Sequence, residues 1–150
     1  MARESRAELT VTEDELFLFL QEVDSLFPIK LSDKIDLKEL CSKFLSVGTI
    51  FSIYDENKIV ALLAGYNNDF VNSKAYISVL AVLPEYQGKG YASKLISDFI
   101  KDCKNKNIKR IELFTHKTNE NAIKMYKKNG FNIDNTEFSR VNDIKFYKDI

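Results

Sequence analysis

The chain has 150 residues, 45% of them hydrophobic and 29% charged, and its 22 Lys and Arg balance 22 Asp and Glu. That size and mixture fit one globular domain burying about 70% of its unfolded surface, and they exclude a disordered, collagen-like or coiled-coil chain. Zero net charge argues against a general nucleic-acid or anionic-membrane binder, whose affinity rests on excess positive charge.

Cys41 and Cys103 are far apart, each in a helix-like stretch, so they form neither a metal knuckle nor a disulfide framework. No metal site is expected. Residues 1–10 lack the apolar core of a signal peptide. No apolar run approaches the roughly 20 residues that span a bilayer. The expectation is a reduced, cytoplasmic protein.

The predicted elements begin with a capping box at Thr12-Glu13-Asp14-Glu15, followed by Leu16, Leu20, Val23 and Phe27 at helical spacing until Pro28. A second box, Asp36-Leu37-Lys38-Glu39, opens a short helix carrying Leu40, Phe44 and Leu45 and ending near Gly48. Between them, Ile29 to Ile35 is a connector placed to lie over a site. Thr49 to Tyr54 and Lys58 to Tyr66 read as a β-hairpin turning at Asp55-Glu56-Asn57, and Asn67 to Ser73 as a polar loop. Ala75 to Leu83 is a strand closed by Pro84. From about Gly90, the positions Ala92, Leu95, Ile96, Phe99, Ile100 and Cys103 form an amphipathic helical stripe. Arg110 to Thr115 is a strand, and Asn119 to Lys128 a helix capped at Gly130. Phe131 to Ile133 and Ile144 to Lys148 complete a single α/β domain over residues 1–150, with no repeats or linker.

The stretch Val82-Leu83-Pro84-Glu85-Tyr86-Gln87-Gly88-Lys89-Gly90-Tyr91-Ala92 joins a strand to a helix through two glycines. Successive N–H groups there can converge, and the helix dipole adds positive potential, which suits a phosphate or pyrophosphate. The plainer reading is a tight turn that needs glycine backbone angles. A P-loop fails because Ser93 stands where its second glycine is required. A dinucleotide fingerprint fails at the same residue. Glu112 imitates its ribose-binding acid, but too little chain remains beyond it for that fold.

Gln87-x-x-Gly90-x-Ala92 and, downstream, Asn119-x-x-Ala122-x-x-x-Tyr126-x-x-x-Gly130-Phe131 resemble, in order and spacing, the two halves of the cofactor site of the GNAT superfamily of N-acetyltransferases. Leu80-Ala81-Val82 resembles that family's central strand. The resemblance is strongest over residues 75–133. It implies a mixed, mostly antiparallel sheet with helices on both faces and two parallel strands that splay apart. Acetyl-CoA would be the co-substrate, with Leu80, Ala81 and Val82 along the pantetheine arm and backbone N–H groups of Gln87, Gly88, Lys89, Gly90, Tyr91, Ala92 and Ser93 around the pyrophosphate. Lys89 and Lys94 would meet the CoA phosphates. The resemblance also puts Asn119 on the cofactor arm and Tyr126 in the position of the acid; on their own, the two residues read as a helix cap and a core aromatic.

An amine must lose a proton before it attacks. Glu112, Phe114 and His116 share one strand face by the period-two rule. Glu112 is the candidate base, with His116 beside it, although alignment from Asn119 puts Phe114 at the family's glutamate position. The run Lys101, Lys104, Lys106, Lys109 and Arg110 reads as a solvated face at a helix end. The expected partner is a primary amine of a small molecule or peptide, with a lean toward a small polar amine and no nucleic acid or membrane. The early helices, the Ile29–Ile35 connector and the Asn67–Ser73 loop would shape its site. A homodimer stays open. The alternatives are a non-catalytic acyl-CoA-binding module on the same fold and a dinucleotide-dependent enzyme.

Overall fold

A computed structural model describes residues 11–136 and 140–150; the stretch read for a signal peptide lies outside them. Among these residues, four α-helices and six strands run in the order α1 (Glu13–Val23), α2 (Leu37–Val47), β1 (Thr49–Asp55), β2 (Lys58–Asp69), β3 (Lys74–Val82), α3 (Tyr91–Asn105), β4 (Arg110–His116), α4 (Glu120–Lys128), β5 (Asn132–Ile133) and β6 (Asp143–Asp149). Among the described residues, no helix is long and apolar enough to cross a membrane.

The sheet order is β1-β2-β3-β4-β6-β5, antiparallel throughout except for the β3–β4 pair. Opposite partners in a ladder share a face, which sorts the helices. Phe99 of α3 lies against Gly65, which pairs with Ile77; Ile77 pairs with Leu113, and Leu113 with Phe146, on which Tyr126 of α4 packs. Thus α3 and α4 cover one face. Phe44 of α2 meets Tyr66, whose partner is Tyr76, so α1 and α2 cover the other. The core forms between these layers, with Phe19, Phe44, Tyr54, Phe99 and Phe146 fully buried.

The Thr12 capping box forms with both reciprocal bonds, and Gly130 takes a positive φ of 88° just past α4. The second expected box does not form: Asp36 holds the N-cap position, but its side chain bonds no first-turn N–H. Phe27 falls outside α1, because the chain tightens into a 3-10 turn at Asp24–Leu26 first. The polar loop also begins later than expected. Asn67 to Asp69 continue β2, and Asn67 is buried because Thr49, Asp102 and Lys106 satisfy its amide. A buried amide satisfied from β1 and from the carboxyl end of α3 behaves as core.

Candidate active site

The site originates in a failure of strand pairing. β3 and β4 pair from Lys74↔Arg110 to Ile77↔Leu113 and then part. At that point β3 carries an extra residue, Ser78, between Ile77↔Gly65 and Val79↔Ala64. Such a bulge bends its strand and re-aims the side chains and peptide groups beyond it. β4 meanwhile stays paired with β6 as far as His116↔Asp143. Leu83 donates to the Val60 carbonyl in β2 at 2.9 Å. Because peptide groups alternate along a strand, Leu80 and Val82 turn their N–H and C=O groups the other way, into the gap. The Val82 carbonyl there accepts a bond from the Gln87 side chain at 3.0 Å.

Beyond β3 the chain turns through Gly88 (φ 78°) and Gly90 (φ 83°), both in the left-handed region, and enters α3 with no side-chain cap. Among the described residues, the N–H groups from Gly88 to Ser93 donate to no protein acceptor; the first helical bond is Lys94 N–H to the Gly90 carbonyl. A Cβ on either glycine would meet no protein atom within 4 Å. The chain thus presents a row of free donors at a helix N-terminus, facing open space.

These features open into one cleft of about 410 Å³. Leu80, Ala81, Val82, Gln87, Gly88, Gly90, Tyr91, Ala92, Ser93 and Asn119 line it, while Lys89 does not. Sequence reasoning missed Phe27, Tyr86, Asn121, Met125 and Lys128 on its walls. Tyr86 is tied to Asp55 at 2.5 Å and braces the turn. Asn119 caps α4 by accepting the Ala122 N–H at 3.2 Å and also lines the cleft, so capping does not take it out of the candidate site.

A smaller cavity of about 120 Å³ adjoins the cleft, sharing Phe27, Leu80, Asn119 and Ala122 with it. Pro28, Ile29, Leu31 and Lys34 form part of its wall, so the Ile29–Ile35 connector covers a cavity. The Asn67–Ser73 segment lines neither cavity. Tyr126 lines the smaller one and is otherwise enclosed by Phe131 and Phe146. Burial pushes its phenol well above the ordinary value, so the hydroxyl keeps its proton at neutral pH.

The structure does not bring Glu112 to either cavity. Its Oε2 lies 2.9 Å from Arg110 Nε, 3.4 Å from Lys145 Nζ and 3.6 Å from Lys74 Nζ. Burial raises its pKa, but the Arg110 bond and the two lysines outweigh this and hold it below the usual glutamate value. A carboxylate neutralised by three cations is a poor proton acceptor. Glu112→Gln is expected to leave the pH profile of turnover unchanged while lowering stability near pH 7. Because the folded pKa is depressed, that stabilisation is present above the unfolded value and lost as pH falls through the folded one. Chemical denaturation at pH 7 and at pH 3 should therefore separate wild type and variant more at the higher pH.

His116 lines the smaller cavity, but its Nδ1 accepts the Thr118 N–H at 3.2 Å. In the neutral ring the proton then sits on Nε2, leaving a donor at the free nitrogen. Among the described residues, the carboxylate on this cavity is Asp143, which sits across the ladder from His116. Both thiols are buried, and desolvation raises each to about 11, so neither is a ready nucleophile.

The splayed parallel pair beside an uncapped, glycine-entered helix places an unpaired strand edge and a row of backbone donors in one cleft. Known proteins share this fold. The sequence model of the acetyltransferase (GNAT) family matches residues 14–131, and the chain belongs to that family. N-alpha-acetyltransferase 30 of Schizosaccharomyces pombe is 38% identical over 58 residues, a stretch covering 39% of this chain and 39% of that relative. The PaiA N-acetyltransferase of Thermoplasma acidophilum in complex with coenzyme A superposes with a TM-score of 0.79 at 17% identity, over 100% of this chain and 99% of that one. The ribosomal-protein-S18-alanine N-acetyltransferase of Escherichia coli gives 0.76 at 20% identity, over 100% and 94%. At such identities the superpositions establish the shared fold.

Proposed function

We propose that this protein transfers an acetyl group from acetyl-CoA to a primary amine by direct attack. The observation that carries this reading is the continuity of the unpaired β3 edge with the free N–H groups of residues 88–93 in one cleft. Acetyl-CoA would supply the thioester carbonyl and the thiol leaving group. Leu80 and Val82 offer backbone groups to an extended amide chain, and residues 88–93 offer donors and the α3 dipole to a pyrophosphate. Lys128, on the cleft wall, adds a cation.

The smaller cavity receives the acceptor. Tyr126 Oη keeps a proton there to give to a departing thiolate. An N–H on the β3 edge is the donor for a developing oxyanion. Asp143 is the carboxylate available to the acceptor's ammonium group, in the role that the sequence suggested for Glu112. The buried thiols Cys41 and Cys103 favour direct transfer over an acyl-enzyme.

The test is acetyl-CoA-dependent release of free thiol with amino acids, amino sugars, polyamines and amino-terminal peptides as acceptors. Saturable release with one class is the expected result; failure to bind acetyl-CoA would overturn the reading. Asn119→Ser offers a second check. Serine keeps the cap, so stability should fall by less than the ~1 kcal/mol typical of a lost cap. Affinity for acetyl-CoA should fall several-fold by calorimetry, because the amide facing the cleft is gone. Unchanged affinity would restrict Asn119 to capping.

A further inference from the structure

We infer that the acceptor is a compact amine carrying its own acid group, a carboxylate or a phosphate, held by Lys34 and Arg140. The inference rests on the acetyltransfer reading and names the acceptor class for the smaller cavity.

Among the described residues, three formally charged side chains line that cavity: Lys34, Arg140 and Asp143. Arg140 Nη1 lies 3.5 Å from Asp143 Oδ2, so these two roughly cancel. Lys34 makes no ion pair among the described residues, and its sequence neighbours Asp33 and Asp36 do not line the cavity. Among the described residues, the balance is one positive charge facing the space an amine must enter. A simple monoamine or polyamine, itself cationic before deprotonation, would meet net repulsion there. An acid group on the acceptor supplies the missing negative charge and leaves Asp143 for the ammonium.

The guanidinium is also pre-positioned. Arg140 stacks on the Phe114 ring, with Cζ 3.9 Å from the centroid, and shares the cavity wall with Tyr76. A fork held flat on an aromatic retains donors for bidentate recognition of a planar acid and loses less entropy in using them. The cavity's volume of about 120 Å³ favours a compact molecule over a long one.

The experiment compares kcat/KM, in saturating acetyl-CoA, for matched acceptors: glycine with glycinamide, aspartate with its diamide, and O-phosphoethanolamine with ethanolamine. The acid member of at least one pair should be favoured about tenfold or more, the scale of a charge-assisted hydrogen bond. Preference in the amino-acid pairs alone identifies a carboxylate, and in the last pair alone a phosphate. Lys34→Gln and Arg140→Gln should each shrink that preference by raising KM for the acid, whereas Lys30→Gln, outside both cavities, should not. Far-ultraviolet circular dichroism would check that the variants fold. Equal or better turnover of the neutral members, or of a polyamine, would overturn the inference while the acetyltransfer reading stands. Turnover of no amine would overturn both.

Discussion

Replacing Tyr126 with phenylalanine is expected to lower kcat for amine acetylation by about a hundredfold, within the range for loss of a positioned general acid. The change removes one oxygen and keeps the ring that packs on Phe131 and Phe146. Stability should therefore move by no more than ~1 kcal/mol, the net worth of a typical hydrogen bond. The KM for acetyl-CoA should stay within about twofold, since Tyr126 lines the smaller cavity and not the cleft. A drop in kcat without a change in cofactor KM separates proton donation from packing. Unchanged kcat would remove Tyr126 from the chemistry.

Gly90→Ala should act on the other cavity. Its φ of 83° strains any residue with a Cβ, at a cost of roughly 1–2 kcal/mol. The added methyl meets no protein atom, so nothing else in the fold resists it. It would project from the wall of the cleft and displace the backbone donors of the first turn. Acetyl-CoA affinity should fall about ten- to hundredfold, as expected from lost charge-assisted bonds. Gly130→Ala is the matched control. It carries the same backbone strain, and its Cβ would fall 2.4 Å from Lys148 Nζ, yet it lines neither cavity. Its folded form should bind acetyl-CoA as wild type does. Equal loss of binding in both variants would mean that Gly90 serves only the turn.

Much of the fold was legible because local rules decide it. The stripe from Ala92 to Cys103 became α3, with Leu95, Ile96, Phe99 and Cys103 buried, since a period of 3.6 leaves one face for the sheet. The cleft wall was legible because its donors belong to the backbone, and two glycines at a helix start mark where a backbone can be exposed. Glu112 shows the limit. Its strand and face were readable, but Lys145 and Lys74 come from strands on either side of β4. No periodicity within Arg110–His116 announces such neighbours. Asn67 was misread for the same reason, as its partners lie far along the chain in α3 and β1. The smaller cavity depends on Ile29–Lys34 folding over the splayed strands and on Arg140 reaching Phe114. These are tertiary placements that no single segment encodes.

The most direct test of the central claim is rapid quenching of the protein with acetyl-CoA and an accepted amine, with mass spectrometry of small molecules and intact protein. Direct transfer predicts acetylated amine appearing with free thiol in equal amounts, and a protein mass that never gains an acetyl group during turnover. An acetylated protein forming and decaying at the rate of turnover would contradict the account, as would thiol release without acetylated amine.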